Sequence, residues 1–242
     1  AFIKKEGLAC DFELNGRYVA AFTQKHFDAQ SAEKDLLNKY LHVDAYMVPK
    51  TEQHTEIATD MYFGGMVRTD LGGLHPAKFH AGLLRLAKDA GAVIHGETPV
   101  ISIKCSQKGF KVKTSRGQIL AGDVIVSTNG YTDRFDRWLQ RRLIPIKSRI
   151  IATEPLPESL VNELMPKKRM FGESRTLFHY FRPSPDGTRI LIGGSEGNNN
   201  ESLNESNQKL KNYLSKIFPQ LSNAETTHTW EGNVAFNMDF IP

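Results

Sequence analysis

The stretch that decides the fold opens Gly72-Gly73-Leu74-His75-Pro76, passes through Thr98-Pro99-Val100-Ile101-Ser102-Ile103 and closes on Asp123-Val124-Ile125-Val126-Ser127-Thr128-Asn129-Gly130-Tyr131. Proline suits a first helical turn, where its missing N–H is no loss. Phe79, Leu83, Leu86, Ala87 and Ala90 follow at helical spacing, and Gly91 is a natural stop. Ala92-Val93-Ile94-His95 reads as a short strand. Phe110, Val112 and Thr114 alternate with lysines, Ser115-Arg116-Gly117 turns the chain, and Gln118 to Ala121 returns as the hairpin partner. Val124-Ile125-Val126 is unbroken, apolar and β-branched, which suits a parallel strand buried on both faces. Yet no Gly-x-Gly-x-x-Gly occurs anywhere, although a dinucleotide-binding domain carries that loop near its start.

The flanking segments have a different character. Cys10 to Leu14 alternates, and Asn15-Gly16 signals a hairpin with Arg17 to Phe22 as its return strand. Thr23 to Tyr40 is helical, with Phe27, Leu36, Leu37 and Tyr40 as apolar points. Gln53 to Thr59 reads as a short helix. Tyr62 to Val67 reads as a strand whose glycines mark a close backbone approach. After Ile144-Pro145, strands are expected over Ile146–Thr153, Thr176–Arg182, Arg189–Gly193 and Glu225–Phe236, with a turn at Pro185-Asp186-Gly187. Leu210, Tyr213, Leu214, Ile217 and Phe218 mark an amphipathic helix ended by Pro219, and Asn198-Asn199-Asn200 falls in a polar loop.

The chain has 242 residues, 40% hydrophobic and 24% charged, enough for a substantial core. Its formal net charge is +4, but its basic residues are scattered except for Arg141-Arg142 and Lys167-Lys168-Arg169, so no nucleic-acid partner is expected. No run approaches the roughly 18 apolar residues of a membrane span. Cys10 and Cys105 match no metal or redox spacing and read as two buried free thiols in a reducing, cytoplasmic setting. No metal-ligand spacing, Gly-x-Ser-x-Gly or Gly-x-x-x-x-Gly-Lys occurs. The His54/Glu56 and His26/Asp28 pairs lie in polar stretches expected to be exposed.

The ordered blocks along the chain resemble the D-amino-acid oxidase superfamily of FAD-dependent oxidoreductases, in particular its branch of gamma-glutamylputrescine oxidoreductase-like amine oxidases. The carrying residues are Cys10-Asp11-Phe12 with Asn15-Gly16-Arg17, Gly73-Leu74-His75-Pro76, and Ser127-Thr128-Asn129-Gly130-Tyr131-Thr132. Ile144-Pro145 with Ile151-Ala152-Thr153-Glu154-Pro155-Leu156, Tyr180-Phe181-Arg182 with Asp186-Gly187 and Ile192-Gly193-Gly194, Phe218-Pro219, and Trp230-Glu231-Gly232 complete the pattern. The resemblance implies a mixed α/β fold, a partial Rossmann-type FAD-binding domain interleaved with an antiparallel-sheet substrate domain. Residues 1–71 and 146–236 would form the substrate domain, 72–145 the FAD-binding part, and 237–242 a return toward it. The chain would be an interior piece of a longer flavoenzyme that oxidises the C–N bond of a small amine or amino acid, and by itself is expected not to retain FAD. A catalytically silent binding module, or a flavin dehydrogenase using a carrier other than oxygen, is the alternative.

For the site, the resemblance places Val100 beside the adenine and the turn at Thr128, Asn129 and Gly130 near the cofactor's phosphate and ribose. The other reading makes Val100 core and Asn129-Gly130 a simple turn. The strand from Thr176 to Arg182 would roof the flavin, which makes Phe178, His179 and Tyr180 the substrate-side candidates. Side chains alternate along a strand, so Tyr180 shares a face with Phe178 and not with His179; an ordinary buried aromatic face is the other reading. His75 is either an acid–base group or a residue that starts a helix. Arg149 and Arg182 match a carboxylate in shape, with surface arginine as the default expectation.

Overall fold

The computed structural model describes residues 2–194 and 201–237; the asparagine triplet and most of 237–242 lie outside them. In chain order the first elements are α1 (Phe2–Lys5), β1 (Arg17–Ala20), α2 (Gln24–Leu36), β2 (Ala45–Val48), β3 (Gly65–Arg68) and α3 (Pro76–Asp89). The middle holds β4 (Val100–Ser106), β5 (Gly109–Thr114), β6 (Gly117–Ala121), α4 (Arg137–Gln140) and β7 (Ile144–Thr153). The rest comprises α5 (Glu158–Leu164), β8 (Met170–Glu173), β9 (His179–Pro183), β10 (Ile190–Gly194), α6 (Leu203–Ile217) and β11 (Thr226–Phe236). The chain divides into two compact units. The first runs up to Leu86 and resumes over Arg149–Glu231; the second comprises Ala87–Ser148 and the residues from Gly232 on.

The first unit is organised by an eight-stranded sheet in the order β11-β7-β10-β9-β8-β1-β3-β2. The β1–β3, β2–β3, β8–β9, β9–β10 and β10–β7 pairs are antiparallel, and β1 runs parallel to β8, so the sheet is mixed. Strand periodicity places Phe181, Ile190, Ile192 and Ile151 on one face. They join one core with Leu210, Leu214 and Ile217 of α6, whose apolar residues recur at helical spacing. Ser202 caps α6: its hydroxyl accepts from the Glu205 amide while the Glu205 carboxylate accepts from the Ser202 amide. Gly65 is required by a close approach, since a Cβ there would lie 2.4 Å from the Val19 carbonyl oxygen. This is the contact expected of the Tyr62–Val67 glycines.

The second unit contains a three-stranded antiparallel sheet, β4-β5-β6, with the expected hairpin closing at Thr114 opposite Gly117. Gly91, at φ +88°, ends the helix as expected.

Several expectations are corrected. Asn15-Gly16 does not make a hairpin, because both edges of β1 are taken by β3 and β8, and Glu13 bridges to Gly73 instead. Ala92–His95 and Val124–Val126 form no strand: Val93 is 79% and Ile125 90% exposed, and apolar runs without a neighbouring strand gain no ladder. Leu36 and Tyr40 of the α2 region are exposed, whereas Gln30 is buried and donates to the Val19 carbonyl. Residues Lys50–Thr55 form a 3₁₀ helix, starting earlier than expected. Cys10 is buried but Cys105 is exposed, and both are free. Glu56 is buried, not exposed, and pairs with Arg169 at 2.7 Å.

Candidate functional site

On the face of the large sheet opposite the core, β9 presents Tyr180 and Arg182, β10 presents Leu191 and Gly193, and β7 presents Ile150. Leu74, His75 and Pro76 at the start of α3, with Trp230 of β11, join them around a cavity of about 430 Å³. This chamber is lined mainly by apolar surface, with Arg182 as its charged side chain. Glycine in β10 makes room for the aromatic wall. A Cβ on Gly193 would lie 2.6 Å from Tyr180 Cε2 and 2.7 Å from Ile150 Cγ1. Phe178 stands beside Tyr180, their ring centroids 6.0 Å apart.

Arg182 is half-buried rather than on the surface. Its Nη1 donates to the Leu74 carbonyl (3.0 Å) and its Nε to the Pro183 carbonyl (3.0 Å). These bonds hold the start of α3 against β9. No carboxylate lies within ion-pair distance of this guanidinium among the described residues. Burial lowers its pKa from the ordinary arginine value, opposed by the more distant Glu13 and Asp11. A cation of this kind, in an apolar chamber and bonded only to neutral atoms, is electrostatically unsatisfied and suits an anionic group. Arg149 is also not a surface residue. It is 4% exposed, and its Nε donates to Glu231 at 2.9 Å. That pairing spends its charge and leaves Arg182 as the carboxylate candidate.

His75 lines the chamber and also starts a helix. Its carbonyl accepts the Phe79 amide at 3.0 Å, and its Nδ1 faces the Lys78 amide at 3.5 Å. A more open groove of about 770 Å³, less apolar than the chamber, shares His75, Pro185, Leu191 and Trp230 with it and adds Asp11, Lys78, Asp186, Arg189 and His228. His179 points the other way, into the buried face, where its ring stacks on Tyr213 with centroids 3.8 Å apart.

The remaining candidates lie in the second unit. Val100 begins β4 opposite Thr114, next to a register shift. Thr128 leads into a 3₁₀ turn at Asn129–Tyr131 that is fastened to β11. Asn129 Oδ1 accepts the Ala235 amide (2.7 Å), and Tyr131 Oη accepts the Asn233 amide (3.0 Å). A Cβ on Gly130 would lie 2.8 Å from the Asn233 carbonyl carbon, so packing against β11 already demands glycine there. Just before the turn, residues 124–127 belong to no element and their amides find no backbone partner among the described residues. Amides without a backbone partner among the described residues are the feature of this segment that fits a phosphate-bearing cofactor.

Of the residues that line the chamber, sequence reasoning singled out Tyr180, His75 and Arg182; Phe178 lies beside Tyr180 but outside the lining. The same reasoning missed Gly193, Ile150 and Trp230, although a glycine pair ending a strand is itself a signal of close approach.

This architecture has many solved counterparts. Glycine oxidase from Geobacillus kaustophilus superposes with a TM-score of 0.80 at 18% identity, covering 99% of this chain and 64% of that one. L-Proline dehydrogenase from P. horikoshii gives 0.80 at 18%, covering 98% and 64%. Among curated proteins, the gamma-glutamylputrescine oxidoreductase of Escherichia coli is 26% identical over 241 residues, spanning 99% of this chain. A probable oxidoreductase, OrdL, of Haemophilus influenzae is 26% identical over 244 residues, again 99% of this chain. The chain spans 56% of the length of each of these two relatives. No helix among the described residues is long and apolar enough to cross a membrane. Residues 1–242 match the family described as FAD dependent oxidoreductase (DAO), and the chain belongs to that family.

Proposed function

We propose that this chain carries the substrate chamber of an FAD-dependent oxidoreductase that oxidises the C–N bond of a small amino acid or a related amine. The observation that carries the reading is the half-buried Arg182 guanidinium, without a carboxylate partner among the described residues, in a chamber whose mainly apolar lining includes Tyr180, Ile150, Leu191 and Trp230. The chamber's volume, about 430 Å³, suits a small molecule. The names of the relatives, oxidoreductases of glycine, L-proline and gamma-glutamylputrescine, support the same class.

When bound, the flavin supplies the hydride acceptor. The residues of this chain bind and orient the substrate. Arg182 holds a carboxylate through its guanidinium fork, and its bonds to Leu74 and Pro183 fix where that fork points. Tyr180 and Trp230 form walls that displace water from the reacting carbon, with Phe178 beside Tyr180. His179, on the other face, acts on the substrate only through the strand. Val100 and the Thr128-Asn129-Gly130 turn, with residues 124–127 before it, are assigned to the cofactor side. Two free thiols, one exposed, suit a cytoplasmic setting.

The test uses the full-length protein with glycine, L-proline and gamma-glutamylputrescine as probes. Arg182→Met should raise KM for the turned-over carboxylate substrate roughly 30-fold or more, as expected when a partner of a buried charge pair is removed. Flavin content should stay unchanged. An unaltered KM in the folded, flavin-loaded variant would remove Arg182 from the substrate site.

A further inference from the structure

We propose that Glu173 is a positioning residue for the chamber wall, setting Tyr180 from the opposite face of the sheet. This rests on the chamber reading above. Glu173 ends β8 with its side chain fully buried. Its Oε1 accepts from Tyr62 Oη (2.6 Å) and from Tyr213 Oη of α6. Its Oε2 accepts from Arg175 Nε (3.1 Å) and Nη2 (2.6 Å) and from the His179 amide (3.2 Å). Burial alone would raise the carboxyl's pKa; the bonds to His179, Tyr213, Tyr62 and Arg175 outweigh it and bring it to about 2.

This network fastens both ends of the connection between β8 and β9. Arg175 lies over the Phe22 ring at 4.3 Å, and its Nη2 also donates to His179 Nδ1 at 3.0 Å. Ser174 Oγ accepts the Phe22 amide at 3.0 Å. His179, stacked on Tyr213, is then held at backbone and ring alike. Fixing one residue of a strand fixes the direction in which the next one points.

That matters more at Tyr180 than at most strand positions. Its directly opposite residues are Gly172 on β8 and Gly193 on β10. The cross-strand side chains that normally set a ring's tilt are hydrogens there. The backbone of Tyr180, which Glu173 pins through His179, therefore takes a larger share in setting the ring's direction, beside the ring's contact with Phe178. A buried charge cluster is a poor way to gain stability over an apolar packing of equal volume, but it specifies one arrangement.

The experiment needs no substrate. The 242-residue chain is labelled with 3-fluorotyrosine, and its Tyr180 fluorine resonance is identified by loss in Tyr180→Phe. In Glu173→Gln the Tyr180 resonance should shift and broaden or split, while that of Tyr46 on β2 stays in place. Tyr213→Phe, a milder change, should shift Tyr180 less, and it decides the matter if Glu173→Gln does not fold. An unmoved, single Tyr180 resonance in a folded variant with only a lowered melting temperature would make Glu173 purely structural and overturn the proposal. The Arg182 result above bears on the chamber reading alone, so the two can fail separately.

Discussion

Replacing Gly193 by alanine tests the chamber wall through packing alone. The new methyl would stand 2.6 Å from Tyr180 Cε2, 2.7 Å from Tyr180 Cζ and 2.7 Å from Ile150 Cγ1. Carbon atoms rest about 3.5–4.0 Å apart, so the tyrosine ring must retreat by about 1 Å. The chamber in front of the ring gives it somewhere to go, which keeps the destabilisation within the usual overpacking range of about 1–3 kcal/mol. For a chain of this size that lowers the melting temperature by roughly 2–12 °C. The sharper measurement is a double-mutant cycle by urea unfolding at constant m-value. In a Tyr180→Ala background two of the three close contacts disappear, and Ile150 can turn away, so Gly193→Ala should lose at least about 1 kcal/mol of its effect. Under the proposed function, the displaced ring should also reduce kcat/KM of the flavin-loaded protein, since a misplacement of about 1 Å can cost about 10²-fold. If Gly193→Ala destabilises both backgrounds equally, to within about 0.5 kcal/mol, Tyr180 does not occupy the space that glycine leaves, and the described wall is wrong.

Gly130→Ala should destabilise the second unit, because its methyl meets the Asn233 backbone at 2.8 Å and a strand cannot retreat as a side chain does; hydrogen exchange at the Asn233 and Ala235 amides should quicken, and unchanged protection would show that the turn does not fasten β11. Glu173 predicts an acid limb. Its folded pKa of about 2 lies below the ordinary 4.5, so its contribution is full above pH 4.5 and is lost as pH falls from 4.5 toward 2. Urea midpoints over that window should decline, by on the order of 3 kcal/mol at full protonation, and Glu173→Gln should flatten the decline; an equally steep decline in that variant assigns it to other carboxylates.

What the sequence reveals follows from which interactions are local. The α3 and α6 helices are legible because proline, glycine stops and apolar spacing act within one or two turns. The β5–β6 hairpin is legible because Ser115-Arg116-Gly117 sets its register. Asn15-Gly16 misleads for the opposite reason: a turn signal cannot compete when β8, more than 150 residues away, takes the edge its hairpin partner would need. Val124–Val126 has the composition of a buried strand, but composition provides no hydrogen-bonding partner, and none of the described strands lies beside it. The chamber shows the same division. Alternation along β9 correctly separates Tyr180 from His179, since that is a property of one strand. The meaning of each face depends on neighbours: Gly172 and Gly193 beside Tyr180, and Glu173, Arg175 and Tyr213 around His179. Arg149 and Arg182 make the point most directly. They are the same residue type on neighbouring parts of one sheet. Glu231 satisfies the first, while the second meets only carbonyls and a thioether. No reading of either segment alone could tell which arginine retains charge for a ligand, because that difference resides in the partner and not in the arginine.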